Sequence, residues 1–422
     1  MMSPARFVNA VLAPVRGAWR FVLARRTHLP DFVNRFIDGI AENPTSPLGR
    51  LAGRVQWTYE ASEVPPPVRP PSSQPSVYIG PVNYSAQGAQ WARGLRDTGI
   101  DAVNVAISVP GGYSFAADSI VPPAVYELSS GWQDAAFDRA AEFSHILIEA
   151  ERSLFGRKFD RDLRREVAAL QQRGASVAMI AHGTDVRLPA RHAERSEYSP
   201  YRDGDWYFGK EARDAERNVR LLESLDLPVF VSTPDLIDFL PFAQWCPVVI
   251  DPERWERVER TRTDGPLRVV HAPTNPRIKG SPLIEPVLQA LQAEGVIEYR
   301  RISGVAHADM PDVFAAADVV LDQFRLGSYG VAACEAMAAG CVTIGHLDTW
   351  VRERVQAATG RDIPLVQATP DTLGQVLREL AADPGARGEI GRTSRAFVRE
   401  VHDGRRSAEV LTENWIGAGR EG

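Results

Sequence analysis

The chain has 422 residues, 44% hydrophobic and 24% charged, long enough for two cores and too apolar for a disordered or fibrous protein. A formal net charge of −6 argues against a general nucleic-acid binder, whose phosphate-neutralising surface is basic. Cys246, Cys334 and Cys341 are odd in number and lack paired metal-type spacing, so no disulfide framework or zinc site is expected, and a reducing cytoplasm fits.

In chain order, residues 5–26 come first. No apolar run reaches the roughly 18–20 residues that cross a bilayer. Phe7, Val8, Val11, Leu12, Val15, Trp19 and Val22 nevertheless share one helical face, with Arg16 and Arg20 away from it and Arg25 and Arg26 following. Such a stripe packs on the protein's own body or lies on a membrane surface. Pro14 would interrupt a single helix at a cost of about 3 kcal/mol, which weighs toward the first. Residues 61–76, ASEVPPPVRPPSSQPS, cannot form regular helix and read as a polyproline-like linker. Residues 1–75 are therefore an N-terminal helical extension, and a first domain starts near Ser76.

From there short apolar strands alternate with helical stretches. SVYIG, DAVNVAISV, SHILIEA, ASVAMIA and PVFVS are predicted strands, and GAQWARGLRDTG a predicted helix between the first two. A second series follows Pro247, with strands in PLRVVHAP, VIEYRRISG, DVVLDQF and CVTIGH and helices in SPLIEPVLQALQAEG and VAACEAMAAG. Repeated strand–helix–strand units imply parallel sheets covered by helices. The fold class is α/β: two Rossmann-like domains, 76–248 and 249–400, facing across a cleft, then a helical tail, 401–422. Open sheets of this kind bind ligands beyond the carboxyl ends of their strands.

The most informative such loop is DQFRLGSYGVAACEAMAAGCVTIGH, from Asp322 to His346. Gly327 and Gly330 permit close backbone approach, and the amides of Ser328, Tyr329, Gly330 and Val331 at a helix start suit an anion. Glu335 lies one turn further in, where a carboxylate can accept from ribose hydroxyls. By spacing alone, a tight turn and a solvated glutamate are the simpler reading. In VVHAPTNPRIKGSPLIEPV, Lys279 reads alone as an exposed lysine beside a turn, with Ser281 capping and Pro282 following. His182 in HGTDVR ends a strand, with Asp185 placed to cap. The loop from Gly80 to Gly88, including Asn83, follows the opening strand without a strict dinucleotide pattern.

Together these segments resemble the retaining GT-B glycosyltransferases of the large family four, over approximately residues 76–415. That family's last domain carries a Glu, seven residues, then Glu-Ala-Met-Ala-x-Gly; Glu335, Ala336, Met337, Ala338 and Gly340 match. The resemblance implies transfer of a sugar from a nucleotide-diphosphate sugar to a glycan, glycolipid or small-molecule acceptor, with retention. Glu335 would hold the ribose, Lys279 the diphosphate, and His182 would reach the donor sugar, making these three the catalytic set. Gly80, Asn83, Arg277, Gly327, Ser328, Tyr329, Gly330 and Val331 would join Lys279 and Glu335 around the donor. No metal, other cofactor or nucleic acid is implied, and a tail helix would return to the first domain. The setting is the cytoplasm, with residues 5–26 open to contact with the inner face of a membrane.

Two positions depart from the family. Gly327 stands where the first Glu belongs, leaving Asp322, Gln323 or Ser328 to replace it, and Thr274 stands where an arginine belongs, leaving Arg277 to compensate. The first departure keeps two alternatives open: a nucleotide-sugar epimerase or hydrolase on the same fold, or an inactive scaffold. VFVSTPDLIDFL reads as a structural strand, cap and helix, and His402 as non-catalytic. RDGDWYFGKEARDAERN is an acceptor-side loop or a solvated helix start.

Overall fold

The computed structural model describes residues 14, 17, 18, 21, 22, 25, 29–42, 46–71, 73–109, 115–204, 206–256 and 265–417. Among them two all-parallel sheets form. The first contains β1 (Ser76–Gly80), β2 (Asp101–Ile107), β3 (Ser119–Val121), β4 (His145–Glu149), β5 (Ser176–Ala181), β6 (Val229–Val231) and β7 (Gln244–Trp245), in the order β3-β2-β1-β4-β5-β6-β7. The second contains β8 (Leu267–His271), β9 (Ile297–Arg301), β10 (Val319–Leu321), β11 (Val342–Gly345) and β12 (Val366–Gln367), in the order β12-β11-β10-β8-β9. Central strands such as β1 and β11 are buried along their whole length, as continuous apolar runs in parallel sheets require.

Strand order reverses between β1 and β4, and again between β8 and β10. At such a reversal the crossover helices leave on opposite faces, and a crevice opens beyond the strand ends. One reversal per domain therefore marks one half-site each. In register, Ile79 pairs with Leu147 and Gly80 with Ile148; Leu321 pairs with His271.

The strap between the domains is held from both sides. The Gln87 side chain accepts from the Val249 amide at 2.7 Å and donates to its carbonyl at 2.9 Å, while the Trp91 indole donates to Pro247 at 2.9 Å. Helix Pro384–Val401 ends at His402, and helix Arg405–Leu411 of the tail starts after Gly404, whose φ is +113°. The break turns the chain back. Ala408, Leu411, Trp415 and Ile416 pack in one cluster with Val77, Ile79 and Trp91 of the first domain. A Cβ on Gly94 would stand 2.8 Å from the Gly404 carbonyl oxygen, so the two helices meet glycine to glycine.

At the N-terminal end, helices Asp31–Glu42 and Pro47–Gln56 form, the second capped by Ser46 accepting from Gly49 at 3.0 Å. Of the Pro-rich stretch, expected to hold no regular helix, Ala61–Glu63 forms a 3-10 turn, and Pro66, Pro67 and Val68 lie against Tyr78, Val105 and Trp132 of the first domain. Most of the amphipathic stripe read at 5–26 falls outside the described residues; of its apolar face only Val22 is described, and it meets Ile40, Leu48, Leu51 and Val55 along a groove. No helix among the described residues is long and apolar enough to cross a membrane. After β6 the expected helix is only a 3-10 turn, Pro234–Asp238.

Candidate functional site

The second-domain half is built on the loops after β8 and β10. Asn275 caps the turn Pro276–Lys279 by accepting from the Arg277 amide at 3.1 Å. That turn brings Lys279 Nζ to Asp322 Oδ1 at 2.5 Å, joining the two loops by an ion pair whose carboxylate is buried. Beneath it, the buried His271 ring bonds Leu321 O at 2.9 Å and Ser281 Oγ at 2.8 Å. Burial pushes this imidazole down to about 4, so it stays neutral and fixes the spacing of β8 and β10.

Helix Val331–Ala338 begins at Gly330, and its first bond runs from the Cys334 amide to Gly330 O at 3.1 Å. The amides of Val331, Ala332 and Ala333 thus precede the helical ladder and carry the positive end of the helix dipole. Glu335, buried on the same helix, meets His307 Nε2 at 2.7 Å. Burial pushes the Glu335 carboxyl above its ordinary range, and the imidazole beside it pulls it partly back. His307 is itself set between Phe115 of the first domain and Trp255, with ring centroids 4.9 and 5.7 Å away. A cavity of about 90 Å³ opens here, lined by Ser85, Thr274, Ile302, Val305, Val331 and Glu335.

The first-domain half is built on the loops after β1, β4 and β5. His182 ends β5; Asp185 accepts from its backbone amide at 2.7 Å and holds the turn. The imidazole rests between the Tyr84 ring, edge-on at 5.1 Å, and the Trp91 ring at 5.4 Å, with Glu149 Oε1 3.3 Å from Nε2. Glu149 is fully buried, and that burial raises its carboxyl. Tyr84, His182, Gly330 and Val331 line one further cavity of about 540 Å³. Strand ends of both domains therefore share common space.

Of the residues singled out from sequence, His182, Gly330 and Val331 line the larger cavity and Val331 and Glu335 the smaller one, the two meeting at Ser85 and Val331, while Lys279 is held by Asp322 on the adjoining loops. Others are engaged elsewhere. Arg277 Nε reaches Asp203 at 3.2 Å, and Arg325 bonds both oxygens of the same carboxylate at 2.8 and 2.9 Å. Ser328 donates to Asp235 at 2.6 Å, which also receives Arg187. The buried Tyr329 hydroxyl bonds His402 Nε2 at 3.1 Å inside the core. Asn83 donates to Phe115 O at 3.0 Å, and a Cβ on Gly80 would come 2.6 Å from Val105 O.

Gly327 has a φ of +66°, and a Cβ there would lie 2.2 Å from Asp348 Oδ2. The residues expected to replace the missing glutamate have internal partners: Asp322 holds Lys279, Ser328 holds Asp235, and Gln323 braces its own loop through the amides of Arg325 and Leu326 at 3.1 and 2.6 Å. Sequence reading missed Glu149, Glu151 and His307. Two carboxylates closing a strand at the point of order reversal were a usable signal for the first two. Nothing in the local sequence marks His307.

By sequence, the chain matches no protein-family profile and no curated protein. Among solved structures it is similar to sucrose-phosphate synthase from Thermosynechococcus elongatus, at 13% identity over 81% of this chain and 98% of that one, with a TM-score of 0.54. It is also similar to an alpha-glucosyltransferase in complex with UDP and a 13-mer DNA, at 9% identity over 80% of this chain and 97% of that one, with a TM-score of 0.51. At these identities the likeness is one of fold, and the fold is GT-B: two Rossmann-like domains facing across a cleft.

Proposed function

We propose that this chain is a glycosyltransferase, moving a sugar from a nucleotide-diphosphate donor to a glycan, glycolipid or small-molecule acceptor with retention at the transferred carbon. The observation that carries the reading is that Val331, at a helix start, lines both the cavity that holds buried Glu335 and the cavity that holds His182, with the Lys279–Asp322 pair joining the adjoining loops. Support for the donor class comes from the GT-B neighbours, one of them solved with UDP. Retention rests on the Glu335 to Gly340 likeness to family four alone.

In this proposal the diphosphate lies on the helix start, and Lys279 stays paired with Asp322 while turning a second N–H toward a phosphate oxygen. Negative charge gathers on the diphosphate as the glycosidic bond breaks, and a fixed dipole and ammonium stabilise it without reorganising. Glu335 accepts from the ribose hydroxyls, with His307 setting its orientation, and His182 bonds the donor sugar. No divalent ion has a role in this scheme. The protein works in the reducing cytoplasm, and its N-terminal extension touches a membrane surface; exposed Phe32, Phe36, Leu48 and Leu51 support that last element.

The test is a thermal-shift screen against UDP, GDP, ADP and their sugar conjugates. A ligand at a hundred times its Kd stabilises by about 2.7 kcal/mol, so one nucleotide class is expected to raise the melting midpoint, and Glu335→Ala with Lys279→Ala to abolish the rise. Transfer is expected to persist in EDTA. Donor consumed without acceptor would favour the epimerase or hydrolase reading, which the missing acid at Gly327 keeps open; no shift with any nucleotide would favour an inactive scaffold.

A further inference from the structure

The cavity of about 540 Å³ extends from the cleft into the first domain, and its deep wall contains Glu151. This carboxyl is 8% exposed, neither of its oxygens receives an N–H or hydroxyl from the protein, and its one close polar neighbour is the Asp185 carboxylate, with which it can share a proton. A buried, unanswered carboxyl is costly, so the fold has a reason to keep it there. The backbone adds a second sign. Ala150 and Glu151 are consecutive non-glycine residues at φ +52° and +51°, a left-handed conformation that side chains rarely adopt and that clusters at ligand sites. The turn is fixed on both sides: the Ala150 amide extends the ladder to Ile180 O at 2.9 Å, and the Arg152 amide returns to Glu149 O at 3.1 Å.

The other charges around the cavity are largely answered. Lys210 and Arg217 both bond Asp214, at 2.6 and 2.9 Å. Asp185 holds the amides of His182 and Gly183. Arg152 stands exposed, where solvent screens it. Burial and the adjoining Asp185 carboxylate push the Glu151 carboxyl well above its ordinary range, and its oxygens remain open to a hydrogen-bond donor from a ligand. A hydroxyl supplies that donor without bringing a further negative charge beside Asp185. At the mouth, Tyr84 is 44% exposed and held edge-on against His182, offering an aromatic face to the C–H side of a ring.

Resting on the transferase reading above, we propose that this cavity is the acceptor site and takes a hydroxyl-rich sugar ring, bonded by Glu151 and stacked on Tyr84, in preference to an apolar or anionic acceptor. The cavity's position agrees, because Gly330 and Val331, at the donor-side helix start, form its floor.

The experiment is saturation-transfer NMR on the full chain with UDP present, using methyl glucoside, methyl mannoside, N-acetylglucosamine, decanol and glycerol phosphate as probes. At least one sugar is expected to receive saturation, and decanol and glycerol phosphate none. Glu151→Ala and Tyr84→Ala are expected to lower the sugar signal several-fold while UDP affinity holds, and the Glu151→Ala melting midpoint is expected to hold or rise. Glu151→Gln, which still donates and accepts, is expected to retain most of it. Sugar binding lost in Glu335→Ala but intact in Glu151→Ala would place the ring in the donor half and overturn the inference. So would saturation confined to decanol or glycerol phosphate, or of no probe at all in a protein that binds UDP. Failure to bind UDP would instead strike the transferase reading itself.

Discussion

Three histidines buried in the fold are held neutral by desolvation. His192, His271 and His402 are each pushed down to about 4 from an ordinary 6.5. Below about pH 6.5 the unfolded chain takes up protons that the folded chain refuses, so stability is fully present above that pH and lost as pH falls toward 4, by up to roughly 3 kcal/mol per histidine. Glu166 works in the opposite sense. Burial pushes it up to about 7 from 4.5 despite the bond it accepts from the Leu154 amide at 2.7 Å, so its contribution is present below the ordinary value and lost as pH rises through 7. Glu149, Glu151, Glu335 and Asp348, whose carboxyls burial also raises, act in the same sense as Glu166, so the net slope is a balance and each contribution is read by difference. Glu166→Gln is expected to raise stability above pH 7 relative to the parent chain, with the gain shrinking toward pH 4.5; calorimetry showing no pH-dependent difference between the two would contradict that sign.

The residues of the candidate site were unequally legible. Glu335 and Lys279 stand in short motifs whose spacing fixes them beside a glycine loop, so family likeness reached them. His307 reaches Glu335 only through tertiary packing, 28 positions away, and no local pattern announces it. Arg277, Ser328 and Tyr329 sit in the right segments, yet their side chains answer partners in the other domain or the core. A motif places a backbone; which way each side chain turns is decided by what lies opposite.

At the scale of elements, long parallel strands were readable because continuous apolar runs bounded by Gly and Pro leave few alternatives. β3, β7 and β12 span two or three residues each and carry too little pattern to be seen. The tail reads as helical from its composition, but the turn at Gly404 that directs it back onto the first domain is a matter of backbone conformation. The loop at Gly327 shows how an element constrains chemistry. Restoring the family acid there would put a side chain on a left-handed backbone and into Asp348, whose carboxyl burial raises to about 6. Gly327→Glu is therefore expected to cost about 1–3 kcal/mol and to lower transfer rather than improve it, as paired denaturation and rate measurements would show. Adding Asp348→Gly should recover part of the stability.

At the scale of the whole molecule, the two-domain plan followed from the repeated strand–helix units, but the way the halves are fastened did not. Asp203 and Asp235 gather arginines and a serine from distant stretches, and such pairings become visible only once both domains are in place. The N-terminal extension adds a surface unlike the rest. Phe21, Phe32, Phe36, Leu48 and Leu51 are each more than half exposed, a grouping that globular surfaces seldom leave uncovered. Co-sedimentation with anionic phospholipid vesicles is expected for the full chain and lost on replacing Phe32, Phe36, Leu48 and Leu51 with serine; unchanged binding in that variant would remove the membrane assignment.

The return of the tail to the first domain has a consequence for biosynthesis. Trp415, which donates to Ser176 at 2.9 Å, and Ile416 are among the last residues described, yet they complete a cluster that starts at Val77. A ribosome making this protein releases the opening sheet long before its covering helix exists. The first domain must wait, incompletely covered, for more than 150 residues of second domain to be translated, so domain-by-domain maturation in order of synthesis is denied to it. A stop codon just before Trp415 would thus injure the part of the protein made first.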